Sequence, residues 1–130
     1  MTKQHPFRLH DEDSLIILKG QLLDNDISFA LDTGASHTVI DLSPLLIAGY
    51  EIKDAIGTVQ METAKGVLDA YVFKIAELSI LGITRRNIEI CSYDYFNNHI
   101  FPDFDGVIGL DFLREHKICI DFRKSVITVM

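Results

Sequence analysis

Apolar and polar residues alternate along much of this chain. Ile27, Phe29 and Leu31 alternate with Ser28 and Ala30, Tyr71, Phe73 and Ile75 with Val72, Lys74 and Ala76, and Ile118, Ile120 and Phe122 with Cys119 and Asp121. A period of two puts successive side chains on opposite faces of an extended backbone, so each stretch predicts a strand. Ile88 and Ile90, set among Asn87, Glu89 and Cys91, predict another, after Leu78–Ile83 read as turn and strand. Turn formers divide the strands into hairpins. One hairpin turns at Asp24-Asn25-Asp26, after the apolar run 14–18 and Gly20, and a second spans 60–68 around Ala64-Lys65-Gly66. A third joins Ile118–Phe122 to Val126–Val129 across Arg123-Lys124-Ser125.

Helical signals are brief. Leu42–Ala48 has Ser43 as an N-cap, Pro44 at the first helical position and Gly49 as a stop. Within Gly109–His116, Leu110 and Leu113 share a helical face. Segment 52–59 is less regular, with Gly57 interrupting a possible strand, and 92–105 reads as one long aromatic loop. Residues 1–13 are polar and end in Asp11-Glu12-Asp13, which predicts an N-terminal arm before a single domain over 14–130. Many short strands with one or two short helices define a mostly β chain, a compact barrel or sandwich.

Composition narrows the function. The 130 residues are 48% hydrophobic, enough for one domain's core, and carry a net charge of -7. Such a field repels nucleic acid and anionic membrane, so neither is an expected partner. No leader pattern opens the chain and no apolar run spans a bilayer, so a cytoplasmic protein is expected. Cys91 and Cys119 sit beside β-type residues and are expected as buried free thiols. His5, His10, His37, His99 and His116 are scattered without ligand spacing, and no metal is expected.

The candidate chemistry lies in Phe29-Ala30-Leu31-Asp32-Thr33-Gly34-Ala35-Ser36, where an apolar strand delivers one carboxylate to a tight loop before Thr38-Val39-Ile40 resumes. Taken alone, Asp-Thr-Gly is equally a β-turn whose side chains bond their own backbone. A second stretch, Gly106-Val107-Ile108-Gly109-Leu110-Asp111-Phe112-Leu113, sets an apolar pair and a Gly before a short helix. Together the two motifs, in this order and with a hairpin between them, resemble the retropepsin-like, retroviral-type aspartic proteases. The resemblance runs over about 15–129 in element order, and only the two motifs are specific.

The resemblance implies a small closed β-barrel and an aspartic endopeptidase acting on peptide or protein substrates without a cofactor. Peptide hydrolysis by carboxylates needs one group ionised to take a proton from water and a second protonated to bond the carbonyl oxygen. This chain carries one such loop, so a homodimer placing Asp32 and its symmetry mate together would complete the pair. Gly34 would permit a close backbone approach and an unusual φ, so that its amide can face the carboxylate. Thr33 would bond the partner's loop, and Ala35 would follow the motif. Ser36 and His37 would lead into the groove, although Ser36 is equally suited to a local bond.

The hairpin over 59–70 corresponds to a flap with Thr63, Ala64, Lys65 and Gly66 at its tip, and Val107 and Ile108 join His37 in walling the groove. An ordinary surface hairpin is the plainer reading. Two departures stand out: the tip lacks the viral Gly-rich composition, and Leu110 replaces an Arg that braces the viral dimer. The terminal strand 126–130 is read either as interleaving between subunits or as pairing within its own. A reading from another class is a non-catalytic peptide-binding or dimerisation module on the same fold.

Overall fold

The computed structural model describes residues 3–10, 15–63, 66–98, 100 and 102–130. Eleven strands form among these residues: β1 Lys3–Pro6, β2 Arg8–Leu9, β3 Ile16–Leu22, β4 Asn25–Leu31, β5 Val39–Asp41, β6 Gly57–Thr63, β7 Gly66–Ile80, β8 Ile83–Tyr93, β9 Gly106–Ile108, β10 Ile118–Asp121 and β11 Val126–Val129. Two short helices, α1 Leu42–Ile47 and α2 Leu110–Leu113, and one 3₁₀ turn at Ile52–Asp54 complete them. The larger sheet runs β2-β3-β4-β9-β5-β8-β7-β6, and β3 also pairs with β7, so six strands close into a ring. This is the small barrel expected from the sequence.

Closure depends on Gly20, which pairs with Ile80 across the β3–β7 seam. A Cβ there would lie 2.9 Å from the Ser79 carbonyl oxygen and 3.0 Å from the Phe29 ring, so only glycine lets the strands meet. Inside the ring, Phe29, Phe73, Ile75, Ile90, Ile108 and Phe112 are fully buried. Each such side chain is worth about 1.5–3 kcal/mol removed from water.

The register places the two motifs side by side. β9 runs parallel to β4, with Leu31 opposite Ile108, and antiparallel to β5, with Val39 opposite Val107. The strand that delivers Asp32 and the strand that delivers Gly109 therefore end at the same level.

Several elements differ from the sequence reading. Lys3–Pro6, in the stretch expected as an arm, is a strand paired with β11, and Phe7 is buried. Helix α1 begins two residues earlier, at Leu42 rather than Pro44, with Asp41 rather than Ser43 as its N-cap, and the Asp41 carboxylate accepts a bond from the Tyr95 N–H instead of capping. Gly57 opens β6 rather than interrupting it, and α2 stops at Leu113. Strand β11 lies between β1 and β10 of its own chain, so both its edges are occupied. Pairing within the subunit is the reading the structure supports for it.

Candidate active site

Asp32 follows the last residue of β4, and its N–H donates to the Ile108 carbonyl at 3.1 Å, extending the β4–β9 ladder into the loop. The Ala35 N–H returns to the Asp32 carbonyl at 3.1 Å and closes a tight turn. Inside it the Gly34 N–H donates to Asp32 Oδ1 at 2.9 Å. Gly34 does not use the positive φ open to glycine, and its amide faces the carboxylate through the turn itself. A Cβ at Gly34 would stand 3.1 Å from Asp32 Oδ1. Asp32, Thr33 and Gly34 are all exposed, so this carboxylate faces outward from the single chain.

The loop is stitched to the Gly109–Leu113 segment. The Leu110 N–H donates to the Ala35 carbonyl at 2.8 Å. The Asp111 carboxylate accepts from the Thr38 N–H at 2.9 and 3.0 Å and from the Thr38 hydroxyl at 2.8 Å. Thr38 Oγ1 in turn accepts the Gly109 N–H at 3.1 Å. Gly109 lies so close to the loop that a Cβ would meet the His37 carbonyl carbon at 2.6 Å and the Ala35 oxygen at 2.9 Å. Arg85 fixes the far end of α2, donating to the Phe112 and Arg114 carbonyls at 2.9 and 2.8 Å, with its guanidinium 5.8 Å from the Phe112 ring centroid.

Thr38, Asp111 and Arg85 were given no role from sequence. Asp111 stood in the second motif, but its partner lies 73 positions away. Buried Cys91, whose N–H donates to the Thr38 carbonyl at 3.1 Å, has its thiol pushed up by burial and secondarily by the Asp111 charge. A thiol so placed is a packing group rather than a nucleophile.

The other predicted residues are distributed around this core. Ser36 Oγ bonds His37 Nδ1 at 3.1 Å, the local arrangement that was one of its two expected roles, and both residues are exposed. Val107 is half-buried, and Ile108 is fully buried in the barrel rather than open to a groove. Thr63 pairs with Gly66 at the head of the β6–β7 hairpin, while Ala64 and Lys65 lie outside the described residues. Thr33 borders an apolar cleft of about 420 Å³ with Leu31, Leu110, Leu113, Ile118 and Ile120 among its walls.

Among the described residues no three His, Cys, Asp or Glu side chains gather as a metal site, and Cys91 and Cys119 are free, the first buried and the second half-buried. No helix is long and apolar enough to cross a membrane.

A carboxylate in a hydrogen-bonded turn, braced by a Gly-Leu-Asp turn on a closed six-strand ring, is the construction of a retropepsin-like acid protease. The chain belongs to the aspartyl protease family, whose profile matches residues 18–112. It is 26% identical over 116 residues to DNA damage-inducible protein 1 of Candida glabrata, covering 89% of this chain and 26% of that protein, so it spans about a quarter of that relative's length. In fold it is similar to a retropepsin-like aspartic protease from Rickettsia conorii, with a TM-score of 0.69 at 17% identity, covering 99% of this chain and 91% of that one.

Proposed function

We propose that this protein is an aspartic endopeptidase that works as a homodimer, with Asp32 of each copy forming the catalytic pair. The observation that carries the reading is the Asp32 turn: an exposed carboxylate, held by its own Gly34 amide and locked to the second motif through Ala35 and Thr38. The 130 residues hold one Asp-Thr-Gly, and in this reading a second copy supplies the other carboxylate.

In the dimer the two carboxylates share a proton, because like charges at contact distance do not both ionise readily. The ionised Asp32 takes a proton from a water, which attacks the scissile carbonyl carbon. The protonated Asp32 donates to the carbonyl oxygen; as the C–N bond then breaks, the proton taken from water passes to the departing amine and a hydroxyl of the diol returns its proton to the pair. Gly34 and its mate hold the carboxylates through their amides, and Thr33 bonds across the two-fold axis. The β6–β7 hairpin serves as the flap over an extended peptide, excluding bulk water, with His37 and Val107 beside the groove.

The subunits meet over the cleft beside Thr33. Leu110 is 46% exposed there, and an apolar residue in place of the viral Arg suits a contact closed by burial rather than by an ion pair. Free Cys91 and Cys119 are in keeping with a reducing, cytosolic setting.

The test is cleavage of a peptide library by the wild-type protein and by Asp32→Asn. Cleavage by the wild type and none by the correctly folded variant is the expected result. Tight peptide binding without cleavage by either, over a broad pH range, would favour a binding module on the same fold.

A further inference from the structure

Beside the barrel core lies a second apolar cluster that the catalytic account does not use. Val39, Ala70, Cys91 and Tyr95 are buried in it, and Met61, Tyr93 and Ile100 pack against it. Met61 and Ala70 belong to the β6–β7 hairpin, whereas Tyr95 and Ile100 belong to the loop between β8 and β9. Val39 and Cys91 come from strands joined at the Thr38 carbonyl, so the cluster adjoins the Asp32 turn on one side and the hairpin on the other.

The described residues of the loop are tied by hydrogen bonds at both of its ends. At its start the Tyr95 N–H donates to Asp41 Oδ1 at 3.1 Å, and at its end the Asp41 N–H donates to the Asp105 carbonyl at 2.8 Å. Asp105 is held again by Ser28, whose N–H and hydroxyl donate to Oδ2 at 2.9 and 3.3 Å. Between these clamps the Ile100 N–H reaches the Tyr95 carbonyl at 2.8 Å, and Asp94 accepts from the Asn97 backbone and side chain at 3.1 and 2.8 Å. Tyr95 is 5% exposed, with its ring centroid 5.0 Å from that of Tyr93.

Among the described residues, β6 is the edge strand of the sheet and pairs with β7 alone. Gly57, Thr58, Val59, Gln60 and Glu62 are exposed, and Met61 is the half-buried position among the β6 residues whose burial is described.

We propose that Tyr95 and Ile100, in the loop between β8 and β9, latch the hairpin as positioning residues that set how readily a peptide is admitted. The proposal rests on reading the hairpin as the flap. Lifting β6 withdraws Met61 from the cluster that Tyr95 and Ile100 help to form, so burial in this shared cluster favours the closed form. Trimming the loop's side of the contact raises the open fraction while leaving the Asp32 turn and its bracing intact.

The experiment combines amide hydrogen exchange with peptide kinetics on the full chain for Ile100→Ala, with Ile100→Val as the milder variant where Ile100→Ala does not fold. The expected result is about tenfold faster exchange over 57–63 and 66–72, unchanged exchange in β3 and β4, and a raised KM at nearly constant kcat. Met61→Ala should reproduce it, and the double variant should add little to either single one. Unchanged exchange in the hairpin overturns the latch, as does faster exchange with an unaltered KM. The exchange arm needs no turnover, so a protein that cleaves nothing defeats the protease reading while the latch is still decided.

Discussion

Asp111 and Thr38, 73 positions apart, form one hydrogen-bonded unit: the carboxylate takes both the backbone N–H and the hydroxyl of Thr38, at 2.9 and 2.8 Å. The Phe112 N–H also donates to Asp111 Oδ1, at 2.8 Å. This unit joins the strand leaving the Asp32 turn to the segment entering α2. Asp111→Ala leaves three donors without their acceptor, so unfolding in urea should show a loss of about 2–3 kcal/mol. Asp111→Asn keeps one acceptor oxygen and should lose about half as much. Under the proposed function both lower kcat more than they raise KM, because they loosen the turn and not the groove.

Gly109 offers a steric test of the same junction. Its φ is -100°, which any residue adopts, so backbone conformation is not the issue. The added Cβ of Gly109→Ala would fall 2.6 Å from the His37 carbonyl carbon and 2.7 Å from its oxygen. These are backbone atoms of the Asp32 turn, so the turn has to move. Thermal unfolding should show a cost of about 1–3 kcal/mol, with cleavage falling further than stability accounts for.

The sequence made the barrel legible where one face of a strand is buried. The alternation of Ile27, Phe29 and Leu31, and of Phe73 and Ile75, matches side chains that enter the core. It failed where a strand is covered by pairing rather than packing. Every residue of β1 except half-buried His5 is exposed, so no period marked Lys3–Pro6 as a strand, yet β11 holds it. The usual N-cap signal sits at Ser43, whereas the N-cap is Asp41, whose carboxylate is used by a loop 54 positions away. Ring closure at Gly20 was invisible for the same reason, since its neighbour Ser79 is distant in sequence. In the site, the local turn around Asp32 was readable, whereas the braces from Asp111 and Arg85 depend on long-range contacts that no spacing encodes.

Leu110 and Ile120 provide a test of the subunit contact. Both are exposed beside the cleft that Thr33 borders, at 46% and 37%. Leu110→Lys puts a charge on that face without touching the barrel. Sedimentation equilibrium should show the dimer weakened at least about tenfold, a loss of some 1.4 kcal/mol or more, with the monomer's thermal stability unchanged. An unaltered association constant would place the interface elsewhere.

Burial pushes the Tyr95 hydroxyl above its ordinary value of 10.0, with smaller contributions in the same direction from Tyr93, Asp41 and Asp105. A phenol harder to ionise folded than unfolded leaves stability untouched below pH about 10, and stability falls as pH rises past that point. Tyr95→Phe removes the group and should flatten the alkaline limb of a urea midpoint-versus-pH curve. An equally steep limb in the variant would assign the loss to other groups.

The central claim is that two copies each supply one Asp32 to a single active site. Its most direct test is to titrate wild-type protein with the inactive Asp32→Asn chain at fixed wild-type concentration and follow peptide cleavage. Shared sites predict that excess variant draws wild-type subunits into half-equipped dimers and drives the rate toward zero. A rate that stays constant while the variant is added, under conditions where the chains exchange, would show that each chain carries a complete site by itself and would contradict the account.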